Sequence, residues 1–225
     1  MRVACFGDSL ALPREGCCYS DTWIAKLKKD YPSVDFLCNF KGGMLVCDLL
    51  ESWDYMRYAE ADIVVIQEGI CDCAPRYIND QKLIWKVLLL LSDKIMVSGL
   101  LWRILKLKTR RSTCTYTPKH LFADKYNIML SDIYRNNVKK VIIIKIGHGA
   151  QSVICKSQYF NSNVDAYNQV FDNLKKIYGD KLLLVDPLNQ VDEDMFVDGY
   201  HCNAKGMGFV YRDLTEVLKN CFANL

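Results

Sequence analysis

Five short apolar runs, several rich in β-branched residues and separated by helical segments, constrain the fold of this chain more than any other feature. They are Arg2 to Phe6, Asp35 to Phe40, Asp62 to Gln67, Val138 to Ile146 and Lys181 to Val185. Strands that are buried on both faces read as near-continuous apolar runs, and strands alternating with helices build a parallel sheet covered on both sides. The segments between them predict helices at Asp21 to Asp30, Leu45 to Ala59, Tyr77 to Leu91, Lys119 to Asn136, Val164 to Tyr178 and Ala204 to Asn220. Ser20 or Asp21 is expected to cap the first of these, and Gly179 to end the fifth. The implied class is α/β, a three-layer α/β/α arrangement.

A chain of 225 residues that is 51% apolar can bury one substantial core. No repeat, low-complexity tract or proline-rich linker divides it, so a single domain over residues 1–225 is expected. Twenty-nine Lys and Arg against 26 Asp and Glu leave a net charge of +3, too little to argue for nucleic acid. The 11 cysteines are odd in number and include no CxxC pair. They suggest neither a disulfide framework nor a zinc knuckle, and they fit buried thiols in a reducing cytosol. The first strand begins at Arg2, so no leader is expected ahead of the fold and a cytoplasmic location follows. Leu83 to Leu107 is apolar, but Lys86, Asp93, Lys94, Arg103 and Lys106 interrupt it, which points to helices in water and not a membrane span.

Open parallel sheets gather functional groups beyond the carboxyl ends of their strands. Gly7-Asp8-Ser9-Leu10 follows the first strand, and Asp198-Gly199-Tyr200-His201 precedes the last helix. A serine hydroxyl becomes a useful nucleophile only when a neighbouring base accepts its proton, and that base needs a partner to fix its tautomer. Ser9, His201 and Asp198 supply these three groups. Neither tetrapeptide is specific alone, but their order and context are. Together with Asp198-Gly199-Tyr200-His201-Cys202-Asn203-Ala204-Lys205-Gly206, they resemble the first and last sequence blocks of the GDSL, or SGNH, hydrolase family, and the resemblance spans essentially the whole chain.

That resemblance implies a five-stranded parallel sheet in the flavodoxin-like order 2-1-3-4-5, with Ser9, Asp198 and His201 as catalytic residues. It also implies an oxyanion hole formed by the amides of Ser9 and Gly43 and by an asparagine after the third strand. This chain reads Gly69-Ile70-Cys71-Asp72 there, so Cys71 occupies the asparagine position. A thiol is a weak donor, and loss of one oxyanion donor typically costs about 3 kcal/mol of transition-state stabilisation. Arg76 is a candidate substituting cation or contact for an anionic substrate, beside the plainer alternative of a surface arginine. Asp8 and Asp72 are expected to order their loops. They join Cys71, Arg76 and His148 as candidate substrate contacts, His148 because Ile146-Gly147-His148-Gly149 follows the fourth strand. His120 stands at a helix start and needs no further role.

There is no Gly-x-Ser-x-Gly elbow, Walker loop or complete dinucleotide fingerprint, and no cluster of histidines and carboxylates. Neither cofactor nor metal is expected. The resemblance implies a serine esterase working through an acyl-serine, with acetyl or another short acyl group on a carbohydrate as the favoured substrate. An O-acetyltransferase acting on a surface polysaccharide or its precursor is the alternative, and a catalytically weak glycan-binding relative is the third. Between residues 92 and 119, Lys94, Arg103, Lys106, Lys108, Arg110, Arg111 and Lys119 carry no balancing acid after Asp93. They form either a solvated helix end or a basic lip, centred on residues 103–111, for an anionic glycan or membrane surface. The sequence sets no oligomeric state.

Overall fold

A computed structural model of the chain describes residues 1–76, 110–190 and 192–223. Its core is a five-stranded parallel sheet ordered β2-β1-β3-β4-β5, from β1 (Arg2–Gly7), β2 (Asp35–Phe40), β3 (Ile63–Gln67), β4 (Lys140–Ile144) and β5 (Leu182–Val185). This is the flavodoxin-like order expected from the sequence. The strands follow the apolar runs closely, with β4 the most shortened. Beyond its end the Ile146 backbone turns to the helix over Phe160–Tyr178, donating to Asn168 Oδ1 at 3.0 Å and accepting from Asn168 Nδ2 at 2.9 Å.

Alternate residues of each strand feed two apolar layers. Ala4, Phe6, Val64, Ile66, Val141 and Ile143 face one layer, completed by α2 (Val46–Met56), α4 (Lys119–Arg135) and α6 (Phe160–Tyr178). Val3, Cys5, Ile63, Val65, Ile142 and Ile144 face the other, completed by α1 (Trp23–Asp30) and α7 (Ala204–Ala223). The two short helices α3 (Ile70–Cys73) and α5 (Gln151–Ile154) lie in the loops after β3 and β4 and were not expected from the sequence. Buried indoles are satisfied across elements: Trp23 donates to Gln67 Oε1 and Trp53 to Asp132 Oδ2, each at 2.7 Å.

The first helix corrects the expected cap. Tyr19–Asp21 forms a 3-10 turn, which takes up Ser20 and Asp21, and Thr22 caps α1 by accepting from the Ala25 amide at 3.3 Å. Gly179 closes α6 at φ 57°, as expected. The helix predicted over Tyr77 to Leu91 lies outside the described residues. Among those described, no helix is long and apolar enough to cross a membrane.

Candidate active site

The site begins where β1 stops. Gly7 is required by close approach, since a Cβ there would meet Ala11 Cβ at 2.8 Å and the Gln67 carbonyl at 3.2 Å. The chain then turns: the Asp8 carboxylate accepts from the Leu10 amide at 2.7 Å and caps a 3-10 turn over Ser9–Ala11, while the Asp8 amide donates to Gln67 O at 3.0 Å. Ser9 is thereby presented at the carboxyl edge of the sheet, at the foot of a turn tied to both β1 and β3.

The second half of the site comes from the loop before α7. Asp198 Oδ2 lies 2.7 Å from His201 Nδ1, and its Oδ1 accepts from the His201 amide at 3.0 Å. Gly199, at φ +100°, makes this tight return possible, because a side chain there would be strained and would strike Val153 Cγ2 at 2.6 Å. Its carbonyl also accepts from the Ala150 amide at 2.7 Å, anchoring the loop to α5. His201 Nε2 is 2.9 Å from Ser9 Oγ, across 192 residues of sequence. Asp198 selects the tautomer with a proton on Nδ1, which leaves Nε2 free to accept from the serine hydroxyl. Tyr200 stacks against the imidazole with ring centroids 4.1 Å apart.

The electrostatics favour a neutral imidazole at rest. Burial lowers the His201 pKa, the Asp198 carboxylate opposes this, and the Arg14 guanidinium adds to the lowering. For Asp198, burial pushes upward, but hydrogen bonds from the His201 ring and backbone outweigh it and hold the carboxyl below its ordinary range. Arg14 itself donates to the Ser9 carbonyl. Nothing in the sequence marked it, since only the tertiary contact gives it a place.

A cavity of about 190 Å³ opens beside Ser9, lined also by Cys71, Arg76, Lys156, Phe160 and Tyr200. Cys71, at the asparagine position of the resembled motif, is held as a neutral thiol, with its pKa pushed up to about 12 by burial. Gly43 sits in the loop between β2 and α2, makes no hydrogen bond with any described residue, and would have open space around a Cβ. Lys156 and Phe160 were not singled out from the sequence, because nothing local distinguishes them from an ordinary surface lysine and a helix-start aromatic.

Two candidate substrate contacts are corrected by burial, and a third stands elsewhere. Asp8 and Asp72 are fully buried, so neither can touch a ligand in this pocket. Asp72 instead accepts from the Val46 amide with both oxygens, at 3.1 and 3.3 Å, fixing the start of α2. Together with Glu68, which accepts from Tyr126 at 2.9 Å, they form a buried acidic group beneath the site. His148 lines a different cavity, of about 250 Å³, and its Nε2 lies 2.7 Å from Asp165 Oδ1. Of the basic lip, Arg110 and Arg111 are exposed, while Arg103, Lys106 and Lys108 lie outside the described residues.

A scan against protein-family models finds no match, and a search of curated proteins finds none either. Solved structures do match along nearly the whole chain. A lipase/acylhydrolase from Enterococcus faecalis superposes with a TM-score of 0.67 at 15% identity, covering 97% of this chain and 95% of that one. A member of the lipolytic protein G-D-S-L family from Veillonella parvula gives 0.62 at 12% identity, covering 97% and 98%. A catalytic mutant of an acetylxylan esterase from Geobacillus stearothermophilus gives 0.60 at 14% identity, covering 96% and 92%. The chain therefore has the fold of the GDSL, or SGNH, hydrolases.

Proposed function

We propose that the protein is a serine esterase that removes a short acyl group through an acyl-serine intermediate. The observation that carries this is the continuous relay from Ser9 Oγ to His201 Nε2 at 2.9 Å and from His201 Nδ1 to Asp198 Oδ2 at 2.7 Å. In this mechanism Ser9 Oγ attacks the ester carbonyl while His201 Nε2 takes its proton, and Asp198 stabilises the imidazolium that forms. The amides of Ser9 and Gly43 donate to the developing oxyanion. His201 then protonates the departing alkoxide, and water, deprotonated by the same imidazole, releases the acyl group and restores Ser9.

The size of the cavity beside Ser9, about 190 Å³, supports an acetyl or similarly short acyl group over a long chain. Carbohydrate as the alcohol is supported by the likeness in fold to an acetylxylan esterase. Labelling of the purified protein by a fluorophosphonate, compared with Ser9→Ala, tests the nucleophile. Ser9-dependent labelling is expected, and its absence with intact fold overturns the proposal. Product analysis with an acetylated sugar should then yield free acetate; transfer of the acetyl group to a second sugar would identify an acyltransferase instead.

A further inference from the structure

Two cations, Arg76 and Lys156, line the cavity that holds Ser9, and no carboxylate lines it among the described residues. Neither makes an ion pair with any described residue. The backbone of Arg76 is anchored. Its amide donates to the Cys114 carbonyl at 2.7 Å, its carbonyl accepts from Ser112 Oγ at 2.8 Å, and its guanidinium lies 5.1 Å from the centre of the Tyr116 ring. With its backbone anchored and its guanidinium near an aromatic ring, Arg76 can present two parallel donors to an oxyanion.

Lys156 lines the same cavity from the turn after α5, where its amide donates to the Val153 carbonyl at 3.0 Å. Two residues further on, the Gln158 amide donates to the Arg110 carbonyl at 3.1 Å, which brings the backbone of a third cationic residue to the same rim. The Arg76 charge reaches inward as well, pulling against the burial that raises the Cys71 thiol and the Tyr200 hydroxyl.

We propose that the natural substrate is an ester of an anionic molecule, whose carboxylate or phosphate is bound by Arg76 and Lys156 while its acyl carbonyl rests against Ser9. This rests on the serine esterase mechanism for its chemistry, but the anion site itself does not depend on turnover. Charge-assisted hydrogen bonds of this kind contribute about 1.5–3 kcal/mol, or roughly 10- to 150-fold in affinity.

Three acetylated sugars test it: a neutral methyl glucoside, glucuronic acid and glucose 1-phosphate. The two charged esters separate carboxylate from phosphate recognition. At least one of them is expected to show kcat/KM roughly tenfold or more above the neutral ester, chiefly through KM, with an advantage that shrinks as salt is raised. Arg76→Gln and Lys156→Gln should each move the charged-to-neutral ratio toward one. Equal turnover of all three esters by the native protein overturns the inference. So does a loss of kcat in Arg76→Gln that is the same for charged and neutral esters, which would place that guanidinium at the oxyanion. Calorimetric titration of Ser9→Ala with glucuronate and glucose 1-phosphate probes the anion site without catalysis. Binding that is weakened by a second Arg76→Gln change supports the site even if no ester is hydrolysed, whereas absence of binding to either anion overturns it.

Discussion

Asp198 holds His201 twice, once through the ring, with Oδ2 2.7 Å from Nδ1, and once through the backbone, with Oδ1 accepting from the amide at 3.0 Å. The ring contact fixes the tautomer, and the backbone contact fixes the loop that carries it. Asp198→Asn disturbs the first more than the second. It should lower kcat by about 10⁴, the scale that replacing a triad aspartate by asparagine carries, while the circular dichroism spectrum is kept.

The same geometry sets a pH dependence. His201 must be neutral to accept the serine proton, and its pKa is lowered from 6.5 by burial against the opposing pull of Asp198. Activity should therefore rise with pH and reach half its plateau below pH 6.5. A kcat/KM profile for 4-nitrophenyl acetate checks this, and a midpoint above 6.5 would contradict the burial argument.

Placing an amide at position 71 should improve the oxyanion side of the proposed site. Cys71 lines the pocket with Ser9 as a neutral thiol, a weak donor. Cys71→Asn is expected to raise kcat on a neutral acetyl ester by at least tenfold, up to the roughly 10²- to 10³-fold attached to one oxyanion donor. Unchanged or lower kcat in a folded variant would mean that the site has no use for that donor.

The buried acids predict an unusual stability profile. Burial raises the Asp8 carboxyl from 3.8 to about 7, and Glu68 and Asp72 are raised by burial too, Glu68 also by the neighbouring Asp72 charge. The folded state therefore holds protons that the unfolded chain releases. Asp8's contribution to stability is complete below pH 3.8 and is lost as pH rises through about 7. Glu68→Gln removes one such proton while leaving an acceptor for Tyr126. Its stability relative to the native protein should increase between pH 5 and pH 8, by at most about 1.4 kcal/mol per pH unit. Urea midpoints at the two pH values measure it.

Cys38 should be the thiol that reacts first at neutral pH. It is exposed and directly opposite Cys5 in the β1–β2 register, and its pKa is lowered by its interaction with the Cys5 thiol and by the nearby Lys28 ammonium, against partial burial. A short pulse of iodoacetamide at pH 7 followed by peptide mass spectrometry should find Cys38 modified ahead of the exposed Cys18, Cys47, Cys114 and Cys155.

Strand positions and the parallel sheet were legible from the chain, because a strand buried on both faces must be written in apolar residues and the crossover helices must lie between, while the strand order came from the family resemblance of the first and last blocks. Ser9, Asp198 and His201 could be picked out for a related reason: tight turns at the sheet edge leave short recognisable strings, such as the glycine that a φ of +100° demands at position 199. Tertiary structure alone decided everything that depends on distance. It brought His201 to Ser9 across 192 residues, buried Asp8 and Asp72 out of a ligand's reach, and gave His148 to Asp165 in another cavity. It also set Arg76 and Lys156 on walls of one pocket. Local sequence records what backbone geometry needs at a point, whereas burial and charge at a site are sums over segments that meet only when the chain has folded.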